Sequence, residues 1–235
     1  MYHTVVIGGG CLGAATAISI QRKLNKAGDS GKVCLVEKAV LCAAESSRHS
    51  GIVRSANADP DASIMASIST NMWKNLKHHW GVDMELDEFG AIWIAKKNSD
   101  GENPAWSDLS NRMKKIDLVF EEIEPNSAIK KCGTTLITED DESYYYEPAA
   151  FQLDPSILRS VLYDAIDENG VELLEKTEVQ TIVTKGNEIQ TCITSNGKFD
   201  AKNFVNATGA WSSQLFSKIG LKIPVTIEPV SVVNW

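Results

Sequence analysis

Three glycines near the start of the chain are spaced for binding phosphate. Gly8, Gly10 and Gly13 follow the apolar run "VVI" and precede a helical pattern, which gives G-x-G-x-x-G between a strand and a helix. Gly8 allows a tight turn, Gly10 lets a pyrophosphate approach the backbone, and Gly13 lets the helix pack closely on the sheet. Free N–H groups at the start of a helix attract anionic oxygens. The motif therefore predicts a dinucleotide-binding site.

An acidic residue stands where such a site needs one. Glu37 ends the second apolar run, "KVCLVEK", about 24 residues after Gly13. A carboxylate there can accept hydrogen bonds from ribose hydroxyl groups. A glycine turn with an unrelated surface glutamate would give the same pattern, and NAD and FAD both fit it.

The elements around these residues indicate an α/β fold. A strand at 2–7, a helix from about 12 to 26 and a strand at 32–38 form a βαβ unit, which implies a parallel sheet. We also predict one helix over 61–80, strands over 85–96 and 118–123, a helix over 153–170 and a β-meander from 177. We expect a Rossmann-like cofactor domain, from 1–84 and 144–212, and an interleaved, mostly antiparallel β substrate domain, incomplete, from 85–143 and 213–235.

Composition excludes several classes of function. The net charge is −8, from 31 acidic and 23 basic side chains, and no basic run supplies the cationic surface that nucleic acids require. No apolar run is long enough to cross a bilayer, and we expect a cytoplasmic protein without a signal peptide. The five cysteines show no metal-binding spacing, and Cys11 and Cys34 lie in predicted core elements, which favours buried thiols over reactive ones.

The stretch "FVNATGAW" (204–211) is a short strand that stops at small residues before a tryptophan. With three other motifs it resembles the FAD-dependent superfamily of D-amino-acid-oxidase type, which includes sarcosine oxidases, dimethylglycine dehydrogenases and glycine oxidases. Those motifs, besides the glycine turn, are "SSRHSGIVRSA" (46–56), "EPAAFQLDPSIL" (147–158) and "TEV" (177–179). Their order over residues 4–211 is that of the family, and it favours FAD as the cofactor.

The resemblance assigns expected roles to individual residues. The ADP part of FAD would lie against the glycine turn, Glu37 and Lys38, and the adenine against the backbone of Val179. The expected cofactor-binding residues are Gly8, Gly10, Gly13, Glu37, Lys38, Ser46, Ser47, Arg48, His49, Ser50, Gly51, Val179, Ala207, Thr208, Gly209 and Trp211.

Two positions of the loop bear on chemistry. Some members of the family attach flavin covalently through a loop histidine, but here Arg48 occupies the matching position and His49 lies one residue later. We therefore expect non-covalent FAD. In amino-acid-oxidising members of the family an arginine at the Ile-x-Arg step pairs with the substrate carboxylate, so the resemblance makes Arg54 the expected catalytic-site residue. A structural salt bridge would explain Arg54 equally well.

The resemblance implies an oxidoreductase that oxidises a secondary amine or amino acid by hydride transfer to flavin. An FAD-dependent 2-hydroxy-acid dehydrogenase shares the same motifs, and a non-catalytic flavin-binding subunit would also carry them. An NAD dehydrogenase would leave the Ala-Thr-Gly turn unexplained. Members of the family continue well beyond the segment that corresponds to "PVTIEPVSVVNW" at the end of this sequence. We therefore expect a truncated chain that acts poorly alone. Alternatively, a partner chain or self-association would cover its C-terminal side.

Overall fold

The computed structural model describes residues 1–57, 59–132 and 136–228, and the chain divides into two units. The first unit holds Met1–Ser50, Leu76–Asp83 and the chain from Asp154 onward. The second holds Gly51–Asn75 and Met84–Leu153. Residues 51–75 were assigned to the cofactor domain by sequence, and residues 213–228 to the substrate domain. The predicted domain division stays a prediction, and its last residues, 229–235, lie outside the described ones.

The described residues form eleven strands and seven α-helices. The strands are β1 (Tyr2–Ile7), β2 (Val33–Val36), β3 (Ile52–Val53), β4 (Ala91–Lys96), β5 (Glu121–Ile123), β6 (Glu142–Glu147), β7 (Phe151–Gln152), β8 (Glu172–Leu174), β9 (Val179–Lys185), β10 (Glu188–Thr194) and β11 (Gly197–Asn206). The helices are α1 (Cys11–Lys26), α2 (Pro60–Lys74), α3 (Leu76–Trp80), α4 (Pro104–Lys115), α5 (Pro125–Cys132), α6 (Pro155–Asn169) and α7 (Ser212–Ser217). Short 3₁₀ turns lie at Glu45–Ser47 and Gly209–Trp211.

The first unit is built on a six-stranded sheet in the order β8-β2-β1-β11-β10-β9. The pairs β8–β2, β2–β1 and β1–β11 are parallel, and the β9–β10–β11 meander closes the other edge with antiparallel pairs. All four residues of β2 are buried, as expected of a strand covered on both faces. Because β1, β2 and β11 run parallel, their carboxyl ends meet at one edge of the sheet.

Helices α1 and α6 pack together in the first unit. Helix α6 confirms the helix predicted over 153–170. The Asp154 side chain caps its start by accepting a hydrogen bond from Ser156 N–H, and Gly170 ends it in a left-handed conformation. Helix α1 has buried small residues, including Gly13, Ala14 and Ala17, on the side that packs inward. This helix can therefore lie close to the sheet.

The second unit contains a three-stranded antiparallel sheet in the order β4-β6-β5 and the short pair β3–β7. Three consecutive tyrosines, Tyr144, Tyr145 and Tyr146, lie in β6, and the first two are each 1% exposed. One face of this sheet carries an aromatic cluster with α4. Its rings are those of Trp93, Trp106, Phe120 and Tyr145, with neighbouring centroids 5.3–6.0 Å apart.

Three secondary-structure predictions were wrong in their extent. The helix over 61–80 is divided at Asn75, whose side-chain amide donates to Asn71 O at 2.8 Å and so competes with the helical hydrogen-bonding pattern. The strand over 85–96 is limited to β4, because Asp87 instead bridges Gln152 of β7. The strand over 118–123 begins only at Glu121, since Leu118 N–H still closes the end of α4 by donating to Met113 O.

Among the described residues, no helix combines the length and the apolar character that a bilayer crossing requires. The cytoplasmic location stays a prediction from the sequence.

Candidate cofactor-binding site

A cleft of about 680 Å³ opens in the first unit at the carboxyl ends of β1, β2 and β11. Its volume falls within the range typical of small-molecule and cofactor sites. Residues from the glycine turn, the end of β2, the 43–46 loop, the start of β9 and the 205–218 segment line it. In open α/β sheets, ligands bind at the carboxyl ends of the strands.

The glycine turn and the Ala-Thr-Gly turn pack directly against each other at the base of this cleft. A Cβ on Gly8, whose φ is +108°, would lie 2.4 Å from Ala207 O. A Cβ on Gly13 would lie 1.9 Å from Gly8 O and 3.2 Å from the Ala207 Cβ. Ala207 N–H in turn donates to Ile7 O at 2.8 Å. The two motifs, some two hundred residues apart in sequence, therefore form one packing unit in which all three positions must be small.

The first turn of α1 faces the cleft with unused donors. Gly10 is the N-cap residue of this helix and has no side chain that could cap it. Instead, Ser46 Oγ accepts a hydrogen bond from Cys11 N–H at 2.9 Å. The N–H groups of Leu12 and Gly13 belong to the first turn, where no intrahelical acceptor exists. Together with the positive end of the helix dipole, they favour an anion at this position.

The side chain of Glu37, which directly follows β2, is held by two backbone N–H groups. Its Oε2 accepts from Gly9 N–H at 2.7 Å and its Oε1 from Ala39 N–H at 2.8 Å. The side chain is partly buried and lines the cleft. An ionised carboxylate has about four acceptor sites, so two contacts leave capacity for hydroxyl donors of a ligand.

The opposite wall is a polar turn with a tryptophan at its end. Asn206 Oδ1 accepts from Thr208 Oγ1 at 2.7 Å and from Thr208 N–H at 3.2 Å, which closes the turn after β11. Lys38 Nζ lies 3.5 Å from the ring centroid of Trp211, a cation–π contact between two residues that line the cleft. Such a contact at a partly exposed position stabilises by about 0.5–1 kcal/mol.

Most of the expected cofactor residues lie together in this part of the first unit. The cleft is lined by Gly8, Gly10, Glu37, Lys38, Ser46, Val179, Ala207, Thr208, Gly209 and Trp211. Gly13 packs behind the lining, under Gly8.

The remainder of the 46–56 loop does not line the cleft. Ser47, Arg48, His49 and Ser50 belong to the first unit, and Ser47 Oγ donates to Ala44 O at 3.1 Å. One ring nitrogen of His49 lies 3.1 Å from Ser46 O. Gly51 belongs to the second unit, where its carbonyl accepts from Leu153 N–H at 2.7 Å.

Arg54 is an exposed residue of the second unit. Its guanidinium carbon lies 4.5 Å from the centroid of the Trp93 ring, and its Nη1 donates to Ala56 O at 2.5 Å. An arginine has five N–H donors, so these contacts leave donors for a carboxylate. The structural salt bridge suggested by sequence is not among the ion pairs of the described residues.

Several residues of these sites were missed from sequence. Asn206 and Lys218 line the cleft, and the Asn-x-Thr spacing of the closed turn could have identified the first of them. Glu147 is 1% exposed and accepts three hydrogen bonds in the second unit. Its signal was its alternation with Tyr145, which places a glutamate on a buried face of a strand.

The cysteines agree only in part with the prediction of buried thiols. Cys34 is fully buried, and burial raises its pKa to about 12. Cys11 is partly exposed and lines the cleft, although burial of its thiol also raises its pKa. Cys11 is the first residue of α1 and lies at the cleft, whereas Cys34 lies inside the buried strand β2.

Curated proteins resemble the chain over nearly all its length. It is 28% identical over 245 residues to the glycine oxidase of Bacillus licheniformis, and the aligned region covers 99% of this chain and 62% of that protein. It is 23% identical over 213 residues to the mitochondrial pyruvate dehydrogenase phosphatase regulatory subunit of Mus musculus, and the aligned region covers 91% of this chain and 23% of that protein. The chain thus spans less than two thirds of either relative.

The fold is found in solved structures. The L-proline dehydrogenase of P. horikoshii superposes with a TM-score of 0.79 at 23% identity, over 97% of this chain and 58% of that one. This confirms the predicted α/β architecture with its mostly parallel sheet. The sequence profile of the family described as "DAO: FAD dependent oxidoreductase" matches residues 3–234. With the glycine turn, Glu37 and the Ala-Thr-Gly turn gathered at one cleft, the chain belongs to this family of FAD-dependent oxidoreductases.

Proposed function

We propose that this chain binds FAD in the cleft of its first unit and is the cofactor-binding part of an oxidoreductase. The observation that carries the proposal is the packing of the Gly8 turn against Ala207, which leaves backbone on both sides of the N-terminus of α1. A cradle without side chains, next to free helix N–H groups, suits a pyrophosphate. The acceptor set of Glu37 suits a ribose diol.

The proposed roles follow from these positions. The first turn of α1 binds the pyrophosphate, Glu37 binds the ADP ribose, and Val179, at the start of β9, meets the adenine through its backbone. Ala207, Thr208 and Gly209 border the cofactor on the opposite wall. FAD, when bound, supplies the hydride acceptor for the oxidation. The protein binds and orients it.

We further propose that the substrate is an amino acid or a secondary amine with a carboxylate. The family is one of oxidoreductases, and the Bacillus licheniformis relative is a glycine oxidase by name. Arg54 is the proposed carboxylate-binding residue, because its guanidinium is exposed and keeps unused donors. A 2-hydroxy acid carries the same carboxylate, so the two substrate classes must be separated by assay.

The visible absorption spectrum of the purified chain tests the cofactor proposal. We expect a flavin spectrum, either as purified or after addition of FAD and gel filtration. After acid precipitation we expect the colour in the supernatant, because Arg48 occupies the position of covalent attachment and His49 lies one residue later.

Each alternative result has a distinct meaning. Colour that remains in the acid pellet would show covalent attachment and contradict the assignment of non-covalent FAD. A chain that stays colourless with added FAD but binds NAD would overturn the cofactor proposal itself. With FAD bound, anaerobic bleaching by sarcosine or glycine, and not by lactate, would support an amine substrate over a 2-hydroxy acid.

A second candidate function is a flavin-binding chain that acts only with a partner chain. It is favoured by the mouse relative, which is a regulatory subunit by name. It predicts bound FAD, no bleaching by any of the three substrates, and a second polypeptide that co-purifies with the tagged chain. Bleaching of the isolated chain would exclude it.

A further inference from the structure

Glu147 is a buried carboxylate at the end of β6 in the second unit, and it is 1% exposed. Its Oε1 accepts hydrogen bonds from Ser55 N–H at 2.5 Å and Ala56 N–H at 3.2 Å. Its Oε2 accepts from Trp93 Nε1 at 3.1 Å. Burying an ionised carboxylate is costly unless donors replace its water shell. Three N–H donors perform that role here.

The register of the sheet explains why Trp93 and Glu147 meet. In the antiparallel β4–β6 pair, Ala91 lies opposite Glu147 and Trp93 lies opposite Tyr145. Residues two apart on a strand share a face, so Glu147 and Trp93 are diagonal neighbours on the same face. A carboxylate at position 147 therefore reaches the indole N–H that the sheet presents beside it.

The same carboxylate holds both supports of Arg54. The Arg54 guanidinium lies over the Trp93 ring and donates to Ala56 O. Glu147 fixes the indole through its N–H and fixes Ala56 through its backbone N–H. The orientation of the Arg54 guanidinium thus depends on Glu147, which acts through Trp93 and Ala56.

We propose that Glu147 is the positioning residue for Arg54 and so sets the orientation in which a substrate carboxylate is bound. The inference rests on the proposed role of Arg54 as the carboxylate-binding residue. A glutamine at 147 has one acceptor oxygen and an NH₂ group, and the NH₂ group would face an N–H donor of either Trp93 or the 55–56 backbone. Because two donors cannot pair, either the Trp93 indole or Ala56 would no longer be held in place.

Nuclear magnetic resonance of the indole ¹⁵N–H groups in the full chain tests this step. The Trp93 signal is assigned by Trp93→Phe and followed during titration with sarcosine. In the wild type we expect the Trp93 signal to move and saturate, since sarcosine binds at the guanidinium stacked on that ring. In Glu147→Gln we expect a displaced Trp93 signal before titration and an apparent dissociation constant at least tenfold larger, with the other indole signals retained.

Glu142→Gln is the matched control. Glu142 begins the same strand and forms an ion pair with Lys96 rather than a contact with Trp93. This variant should bind sarcosine as the wild type does. Trp93→Phe, which keeps a ring under Arg54 but removes the N–H, provides a second variant should Glu147→Gln fail to fold. Calorimetry should show sarcosine bound by it several-fold more weakly.

The outcomes separate the two proposals. Unchanged sarcosine affinity in Glu147→Gln, or in Trp93→Phe, would show that Glu147 only stabilises the fold and would overturn the inference. If Arg54→Lys binds sarcosine as tightly as the wild type, the proposed role of Arg54 is wrong and the inference falls with it. Neither result bears on FAD binding, which the absorption spectrum measures independently.

Discussion

Replacement of Gly8 by alanine is expected to lower the free energy of unfolding by about 3 kcal/mol or more and to abolish FAD binding. The φ of Gly8 is +108°, and an alanine Cβ would lie 2.4 Å from Ala207 O and 2.7 Å from Ala207 C. A positive φ alone costs an ordinary residue roughly 1–2 kcal/mol. Overpacking against a backbone that cannot move adds typically about 1–3 kcal/mol.

Gly28→Ala separates the two costs. Gly28 also has a positive φ, +68°, but no atom lies within 4 Å of the position its Cβ would take. This variant should lose only the cost of the positive φ, roughly 1–2 kcal/mol, and should keep its cofactor. Thermal and urea denaturation of both variants, each with an FAD titration, measure the difference. Equal, small losses of stability would contradict the close approach of the glycine turn and the Ala-Thr-Gly turn.

The cofactor cleft was largely predictable because each of its signals is local. Gly8, Gly13 and Glu37 are spaced by the strand and helix that carry them, and the spacing alone implies their geometry. What the sequence could not show is that Ala207 packs against both glycines. That contact depends on the parallel pairing of β1 with β11, two strands at opposite ends of the chain.

The second unit was less predictable because its contacts are set by register. Arg54 was identified by resemblance, but its supports come from β4 and β6, whose alignment no local pattern specifies. Alternation with Tyr145 could have marked Glu147 as buried, but its three donors come from β4 and the 55–56 backbone, which no local pattern places beside it. The break at Asn75 has a local origin instead, since a side chain that bonds to the preceding turn outweighs a continuous apolar periodicity.

Replacement of Glu37 by glutamine is expected to weaken FAD binding about a hundredfold, which corresponds to about 2.7 kcal/mol. Each carboxylate oxygen accepts one backbone N–H, from Gly9 and Ala39. An amide has a single acceptor oxygen, so its NH₂ group would face one of these donors, and a partly buried donor left unpaired costs roughly 1–3 kcal/mol. The ribose hydroxyls would also lose a charged acceptor. Calorimetric titration of the cofactor-free variant with FAD measures the effect.

Removal of a negative charge from the cleft acts in the opposite direction, because the pyrophosphate is itself anionic. Glu178→Gln isolates this contribution, since Glu178 also lines the cleft but is exposed. Its hydrogen bonds are made by the backbone: its N–H donates to Ser195 Oγ, and its carbonyl accepts from Ser195 N–H. We expect this variant to bind FAD as tightly as the wild type or slightly more tightly. Weakening in Glu37→Gln alone would assign the loss to the hydrogen bonds of that carboxylate. Similar affinities in the two variants would mean that Glu37 affects FAD only as a charge, and that the ribose is bound elsewhere.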